Sequence, residues 1–397
     1  MSDEPYAEVP LGYYLDGAIR NGISPLETQA WTGVQMLGLA CLTPDGFQPR
    51  QLKNAPAGFS ARHPAVLDDG ALLISRANTR GLVGLAGVYR DIGTPCIYPD
   101  LMMRLRPSRE CIPEFMELML RSTGVRRRIM AMAQGTSESM VKISAEMVRS
   151  LSVPLVSLAE QRHIVKVLGA VSAAENSIEA SLAKLSLVED AMALDLLGRL
   201  PAGYGTSTIG DLGAVVTGMT PPIEWDALDG CNGIPMITPS QVSNIGGVAG
   251  FSRMISPGYR QGVRGVARGA TLAVCIGFGV GKVGFVEFDC CTNQQINSVI
   301  PYSGMDSRYV YLAVAKAMRL ARERVNLQVT PIINKTEFSA LSVEVPELAE
   351  QRRVADAVWA VRSSQERLRV ELGKLRQLKE GLADDLLTGE VGVSDVG

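Results

Sequence analysis

Leu158-Ala-Glu-Gln-Arg162 is the stretch that decides the fold, because it returns 190 residues later (348 − 158) as Leu348-Ala-Glu-Gln-Arg352. The same offset relates the Leu-Ser-Val before each copy, at 151–153 and 341–343. It also relates the Asp-Leu-Leu at 195–197 to that at 385–387. A long match without gaps inside one chain indicates duplication, and duplication implies internal pseudo-symmetry. We therefore expect two equivalent halves.

The residues that follow each copy predict a long helix, from about 159 to 197 and again 190 residues later. Apolar residues recur in steps of three and four, which is typical of the narrow seam of a coiled coil. At 1.5 Å per residue, each helix would be roughly 57 Å long. The predicted seam residues are Ile164, Leu168, Val171, Ile178, Leu182 and Leu185 in the first helix, and Val354, Val358, Val361, Leu368, Leu372 and Leu375 in the second.

Four polar residues interrupt this seam. They are Glu175 and Glu189 in the first helix, and Gln365 and Lys379 in the second. Polar residues at seam positions lower stability and fix the register of the pair. If the helices pair antiparallel, placing Glu175 against Lys379 also places Glu189 against Gln365. The alternative is that these positions face solvent at a local irregularity.

The segments before each helix are rich in glycine and proline and carry short β-branched and aromatic runs, which predicts mixed α+β globules. The predicted fold class is α+β, with two mixed α/β domains separated by two long antiparallel coiled-coil helices in a pseudo-two-fold arrangement. The predicted segments are a first globule at 1–152, a first helical spacer at 153–202, a second globule at 203–342 and a second helical spacer at 343–397.

Composition restricts the class of protein. A chain of 397 residues with 46% apolar and 20% charged residues is typical of a globular protein with more than one domain. Its apolar runs are too short for a membrane span, and seven cysteines without a C-x-x-C pair argue against a disulfide framework or a zinc site. We expect a cytoplasmic protein. With a net charge of −2 and a pI near 5.9, any nucleic-acid site would be a local patch or be completed by a partner.

Motifs for catalysis are weak. Gly279-Val-Gly281-Lys-Val-Gly284 matches the dinucleotide pattern, but strand-like residues both precede and follow it, which predicts a hairpin instead of a phosphate-binding turn. His63 and His163 have no Cys, Asp or Glu at ligand spacing, so neither a metal site nor a histidine triad is predicted. We predict no catalytic residues, which favours a binding role.

Polar loops supply candidate contacts to nucleic acid, because amides, hydroxyls and cationic side chains suit base edges and phosphates. Arg121 with Arg126–Arg128, and Arg319 with Arg322 and Arg324, indicate either phosphate contacts or solvated helix faces. The candidate DNA contacts are Arg76, Asn78, Arg80, Thr136, Ser137 and Lys142 in the first half, and Lys282, Gln294, Gln295, Asn297, Gln328 and Lys335 in the second.

Two globules, each followed by a long helix introduced by Leu-Ala-Glu-Gln-Arg, resemble the specificity subunit of type I restriction-modification enzymes. Val-Pro precedes both copies, at 153–154 and 345–346, and Leu386-Leu-Thr-Gly389 is similar to the common ending of that family. The resemblance implies that each globule is a target recognition domain that reads one half of a bipartite DNA sequence. It implies too that the long helices set the distance between the two readers and bind DNA methyltransferase (modification) subunits.

The resemblance further implies a non-catalytic subunit of a host-defence restriction system. No cofactor is expected in this chain, whereas S-adenosylmethionine and ATP are expected on partner subunits, including a translocating nuclease (restriction) subunit that joins for cleavage. Three alternatives stay open at this point. One is a type IIB-like specificity subunit that works with a fused nuclease-methyltransferase. The others are a coiled-coil scaffold whose globules bind proteins, and a nucleotide-dependent enzyme that uses Gly279–Gly284.

Overall fold

The computed structural model describes residues 6–60, 63–135, 140–200, 206–220, 233–243, 247–248, 250–251, 253–255, 263–324 and 331–390. The chain divides into two compact units, one of Met1–Ser177 with Glu371–Gly397 and the other of Ile178–Val370. Each unit holds one globule and a part of both long helices. The four segments predicted from the sequence have their boundaries near the ends of the long helices, whereas the two units divide those helices near their middle. The predicted segments stay a prediction.

A four-stranded antiparallel sheet forms the centre of the globule in the first unit. Its strands, in spatial order, are Arg20–Asn21, Met102–Leu105, Leu72–Ser75 and Ala86–Val88. A second sheet pairs Gln35–Leu37 parallel to Cys96–Ile97 and antiparallel to Leu52–Asn54. Shorter strand pairs join Leu42–Thr43 to Gly46–Phe47, Ala77–Asn78 to Val141–Lys142, and Glu8–Pro10 to Ser152–Pro154. The helices of this globule are Pro113–Arg121, Thr123–Met132 and Ala145–Ser150, with 3-10 turns at Leu11–Tyr14 and Leu39–Cys41.

The globule in the second unit repeats this topology. Its antiparallel sheet has the order Gly213–Thr217, Ile296–Pro301, Thr271–Val274 and Val283–Phe285. In the second sheet, Ile234–Ile237 again runs parallel to one neighbour, Cys290–Thr292, and antiparallel to the other, Arg253–Ile255, while Gly265–Val266 adds an edge. The closing pair is Thr206–Thr208 with Ser342–Glu344, and the helices are Ile209–Leu212, Ser307–Arg324 and Lys335–Ser339. The order of the central sheet, the parallel pair of the second sheet and the closing pair are thus the same in both globules, which confirms the predicted duplication.

The two long helices are Leu158–Gly198 and Leu348–Thr388, of 41 residues each, which corresponds to about 60 Å. None of the twelve predicted seam residues is exposed. In the first unit, Leu168 and Leu386 share one apolar cluster, and in the second unit Leu197 shares another with Val354 and Val358. The long helices therefore run antiparallel within each unit, as predicted. Within the described residues, no helix is long and apolar enough to cross a membrane.

The polar seam residues have the predicted partners. In the first unit, Lys379 Nζ donates to Glu175 Oε2 at 2.6 Å, and in the second unit Gln365 Nε2 donates to Glu189 Oε2 at 3.0 Å. Both pairs lie between the helices, and Glu189 is only 5% exposed. The alternative in which these positions face solvent is wrong.

Candidate nucleic-acid interface

Three of the candidate residues in the first unit lie together. The strand Ala77–Asn78 pairs antiparallel with Val141–Lys142, and the backbone N–H of Ile143 donates to the carbonyl of Arg76 at 2.9 Å. Lys142 is exposed while Asn78 is half-buried, so this short ribbon presents a cation and an amide at one edge of the globule. Such an edge can hold a phosphate with the lysine while the amide reaches a base. Thr136 and Ser137, also predicted contacts, lie outside the described residues.

Arg80 has a different role in the structure. Its Nη1 donates to the carbonyl oxygen of Met130 at 3.1 Å and to that of Ala133 at 3.5 Å. These carbonyls belong to the end of the helix Thr123–Met132, where backbone acceptors have no partner within the helix and a cation is favourable. Arg80 thus caps this helix, and its predicted contact with DNA stays a prediction.

The second unit repeats the same local geometry. The N–H of Ile333 donates to the carbonyl of Cys275 at 2.8 Å, as Ile143 does to Arg76 in the first unit. Gln295 lies beside this segment, since its Nε2 donates to the carbonyl of Ile276 at 3.4 Å. Lys335 follows Ile333 by two residues and is exposed, and so is Gln294. The structure thus brings amides and a lysine near the same backbone contact in both globules, although at different positions, since Ile332 and Gly277 stand where the first globule has Lys142 and Asn78.

Asn297 is buried among the strands of the second globule. It is 3% exposed, and its Oδ1 accepts a hydrogen bond from Thr217 Oγ1 at 2.7 Å across the pair of strands that contains both residues. Its role in the structure is to satisfy a buried polar pair. This position gives no support to a DNA contact, which stays a prediction. Gln328 lies outside the described residues.

The glycine-rich stretch Gly279–Gly284 is a hairpin turn, as predicted. It connects Thr271–Val274 to the antiparallel strand Val283–Phe285, in the place where a dinucleotide fold needs a helix. Lys282, a predicted contact, is half-buried at the base of this turn. Gly281 is required because Arg322 lies over it, and a Cβ at this position would come within 2.7 Å of the Arg322 Cδ. The turn therefore packs against a helix side chain and does not form a phosphate-binding loop.

The arginine cluster of the first globule holds that globule together. Arg121 Nε donates to the carbonyl of Pro44 at 2.8 Å, and Arg126 donates to the carbonyls of Val83 and Gly81 at 2.5 and 2.8 Å. Arg128 forms a 2.6 Å ion pair with Glu8. The guanidinium groups of Arg121, Arg126 and Arg128 thus bond to backbone carbonyls or a carboxylate of their own globule, while Arg127 is exposed. Their contact with phosphate stays a prediction.

The glutamine of the repeated Leu-Ala-Glu-Gln-Arg motif is a structural residue that the sequence reasoning missed. Gln161 is fully buried; its Oε1 accepts from the N–H of Ile112 at 3.0 Å, and its Nε2 donates to the carbonyls of Glu110 and Val156, both at 2.9 Å. Ile112 is the residue that precedes the helix Pro113–Arg121. The side chain therefore joins the start of the long helix to the start of the globule's own helix.

Gln351 makes the equivalent contacts in the second unit. It is 2% exposed, its Oε1 accepts from the N–H of Asp306 at 3.0 Å, and its Nε2 donates to the carbonyl of Pro346 at 2.8 Å. Asp306 directly precedes the helix Ser307–Arg324. A signal was present in the sequence, because Gln161 lies three residues before Ile164 and so continues the phase of the buried seam.

A second missed cluster surrounds Arg362 in the second unit. Its guanidinium donates to Glu189 Oε1 at 2.6 and 3.0 Å and to the Tyr311 hydroxyl at 3.2 Å, and it stacks 4.4 Å from the ring centroid of Trp359. Cation–π stacking and charge-assisted hydrogen bonds both favour arginine over lysine here. Burial raises the pKa of Tyr311, which keeps this hydroxyl neutral. The cluster joins both long helices to the helix Ser307–Arg324 inside one unit.

No group of three or more His, Cys, Asp and Glu side chains is placed to hold a metal ion among the residues that the structure describes. A cavity of about 250 Å³ lies beside the Arg362 cluster, lined by Asp190, Lys316, Arg319 and Tyr311 among others. Its charges are mixed, and Lys316 already pairs with Glu344 at 2.8 Å. The described surfaces that best match nucleic-acid chemistry are therefore those around Lys142 and around Gln294.

Comparisons with known proteins agree on one family. Residues 201–369 match the family model for the type I restriction modification DNA specificity domain. A curated relative, the type I restriction enzyme EcoKI specificity subunit of Escherichia coli (strain K12), is 26% identical over 150 residues, which are 37% of this chain and 32% of that protein. The match thus spans about a third of the relative's own length. The family model and this relative both belong to the family that the repeated motifs suggested.

Two solved structures share the fold over nearly the whole chain. One is a chain from work on complex assembly and conformational transition of the type I R-M system, with a TM-score of 0.58, 16% identity and 98% of each chain covered. The other is the type I restriction-modification S subunit from M. genitalium, with a TM-score of 0.52, 14% identity and 96% of each chain covered. At these identities the likeness establishes the fold, including two mixed globules and two long helices.

Proposed function

We propose that this chain, whose residues 201–369 carry the type I restriction modification DNA specificity domain, is the DNA-reading subunit of a restriction-modification complex. The observation that carries the proposal is the repeated topology. The matched domain coincides with the second globule, and the first globule has the same strand order and the same parallel pair. Two copies of one DNA-specificity fold suit a target that consists of two separate half-sites.

The chemistry of the described surfaces supports a division of labour in each globule. Exposed lysines, Lys142 in the first unit and Lys335 in the second, supply phosphate contacts that orient the globule on DNA. Amides on neighbouring segments, Asn78 in the first unit and Gln294 in the second, carry a donor and an acceptor that complement the N7 acceptor and N6 donor of adenine in the major groove. Their oxygens also accept from the Thr79 N–H and the Thr220 hydroxyl, and each keeps a second lone pair. The near-neutral net charge of the chain is consistent with a clamp that partner subunits complete.

The partners follow from the same proposal. DNA methyltransferase subunits would bind along the faces of the long helices that are turned away from the seam, and a translocating nuclease subunit would join them for cleavage. The chain itself would be non-catalytic, with S-adenosylmethionine and ATP bound by the partners. A protein that reads chromosomal and invading DNA would act in the cytoplasm.

Co-expression of the chain with a type I DNA methyltransferase subunit from the same organism tests the proposal. We expect a stable complex that binds one bipartite sequence in preference to random DNA at moderate salt, since non-specific phosphate contacts weaken steeply as salt rises. Sequencing of modified bases in the host should show methylation at that same bipartite site. A complex that methylates without any bipartite preference, or a chain that forms no complex and binds no DNA, would contradict the proposal. A partner with a fused nuclease would point to the type IIB-like arrangement.

A further inference from the structure

Phe278 is the most exposed aromatic side chain that the structure describes, with 86% of its surface open to solvent. It lies at the tip of the turn between the strands Thr271–Val274 and Val283–Phe285 of the second globule. A single exposed apolar side chain is ordinary on a protein surface. Phe278 is distinguished by the fixed turn that carries it and by the polar side chains near that turn.

The turn that carries Phe278 is fixed by its own backbone. Gly277 and Gly281 have φ angles of 91° and 94°, a region that glycine adopts readily and other residues avoid. The N–H of Gly277 donates to the carbonyl of Pro331 at 2.9 Å, and the N–H of Val280 donates to the carbonyl of Gly277 at 3.0 Å. The Val280 side chain is buried in the core of the unit. The turn is thus anchored on both sides of Phe278, and the ring is held outward at a defined place.

The surroundings of Phe278 match DNA more closely than a purely apolar partner. Ile332, 56% exposed, lies on the segment that pairs with Ile276, so it extends the apolar surface. Gln295 is hydrogen-bonded to the carbonyl of Ile276, and its neighbour Gln294 is exposed. Lys282 follows the turn and Lys335 follows Ile332 by three residues. An aromatic ring on a turn that bonds one amide, with a second amide and two lysines close by along the chain, can meet the faces of bases, their edges and the phosphates.

We propose that Phe278 is a wedge that enters the DNA between two neighbouring base pairs of the half-site read by the second globule, and that it unstacks them. This inference rests on the proposed DNA-reading function. Apolar side chains inserted between base pairs kink the duplex, and steps that unstack easily, such as TA and CA, accept them at least cost. The wedge therefore adds sequence preference at a step that needs no hydrogen bond from the protein.

The first globule carries a different residue at the corresponding turn. Between Leu72–Ser75 and Ala86–Val88 its most exposed apolar side chain is Leu82, at 42%. Leucine can also act as a wedge, but Leu82 is half as exposed as Phe278, so less of its side chain is free to enter the DNA. The wedge is therefore assigned to the second half-site alone, and Leu82→Ala supplies a matched control.

Fluorescence of 2-aminopurine tests the wedge in the full-length chain bound to its methyltransferase subunits. Target duplexes would carry the analogue at successive positions of both half-sites, because its fluorescence rises when it is unstacked. We expect wild-type protein to raise the signal at one step of one half-site. Phe278→Ala should abolish that rise and weaken binding about tenfold, Phe278→Trp should preserve it, and Leu82→Ala should leave it unchanged. A base flipped by the methyltransferase keeps its signal in Phe278→Ala, which separates the two effects.

The other outcomes overturn the inference in distinguishable ways. If wild-type protein binds its bipartite target and no position loses signal in Phe278→Ala, the wedge is wrong while the proposed function stands. If Phe278→Ala impairs assembly with the methyltransferase and leaves the unstacking signal intact, Phe278 contacts protein and the wedge is again wrong. If wild-type complex shows no sequence-specific DNA binding, the proposed function and the wedge both fail. Because Phe278 is exposed, an unchanged melting temperature of the variant should verify its folding.

Discussion

Lys379 Nζ lies 2.6 Å from Glu175 Oε2, and this pair has the same antiparallel register as Gln365 with Glu189. Between the two pairs each helix advances by 14 residues (189 − 175 and 379 − 365), which is two heptads. Two polar pairs at this spacing disfavour a shift of the helices by one heptad, because such a shift would set each carboxylate against an apolar seam residue. The polar residues therefore specify the register at the expense of some stability.

Charge reversal at the first pair should show this coupling. Glu175→Lys or Lys379→Glu alone places like charges together between the helices, and each should lower the free energy of unfolding by about 3–5 kcal/mol, given that both side chains are mostly buried. The double exchange restores an ion pair and should recover most of that loss. Urea denaturation of the four proteins in a double-mutant cycle measures the coupling. Additive losses in the double variant would show that the two residues do not interact.

The buried glutamines of the repeated motif make a second prediction. Gln161→Ala leaves the N–H of Ile112 without this acceptor in a partly buried place, and Gln351→Ala does the same to the N–H of Asp306. Each variant should lose about 1–3 kcal/mol of stability. The adjacent residues Arg162 and Arg352 are exposed, and their alanine variants supply controls with little expected effect. Equal losses for glutamine and arginine variants in urea denaturation would contradict the role assigned to the glutamines.

Periodicity explains why the helices could be predicted. Seam residues recur at a fixed spacing, so the phase that buries Leu168 also places Glu175, and the 190-residue offset carries the same phase into the second helix. The globule contacts could not be predicted in this way. A polar side chain in a loop has the same identity whether its partner is a ligand or the backbone of its own fold, and this is why Arg80 and Asn297 were candidates for DNA contact.

Two exposed residues of the second globule should affect DNA binding differently. Lys335→Ala should weaken binding to every sequence and reduce the salt dependence of binding by about one counterion, because it would remove the proposed phosphate contact. Gln294→Ala should instead lose about 1–3 kcal/mol of discrimination at a single base pair. Arg268 is exposed and lies at the end of the strand Thr271–Val274 opposite to the end near Gln294 and Lys335. Arg268→Ala therefore supplies a control. Binding to substituted targets at several salt concentrations measures both effects; identical profiles for the two variants would refute this assignment.

The cysteines should be unreactive in the folded protein. The six that the structure describes are all buried. Burial raises the pKa of Cys96, Cys111 and Cys290 to about 12 and that of Cys275 and Cys291 to about 11, so the reactive thiolate is scarce at pH 8. Cys231 lies outside the described residues and is removed as Cys231→Ser. Ellman's reagent should then detect no thiol in native protein and six after unfolding in guanidinium.

A matched control makes the thiol measurement informative. Ser303 is exposed, so Ser303→Cys in the Cys231→Ser background should add one thiol that reacts at once in the native state. Rapid reaction of native Cys231→Ser protein without this addition would show that at least one of the six cysteines is accessible, contrary to its burial in the fold.

The two polar pairs also indicate where the long helices can be lengthened. Inserting seven residues near Ala180 and seven near Val370 places one heptad in each helix between the pairs, so both pairs keep their partners and the seam keeps its phase. Seven residues add about 10.5 Å to a helix, and DNA rises 3.4 Å per base pair. If the helices set the distance between the two readers, the unread spacer of the target should grow by about three base pairs while both half-sites stay the same. Modified-base sequencing in cells that express the variant with its methyltransferase measures this.

Insertion into one helix alone shifts one polar pair by a heptad and should abolish assembly. A doubly lengthened subunit that remains active on the original spacer would refute the role of the helices in setting the spacing.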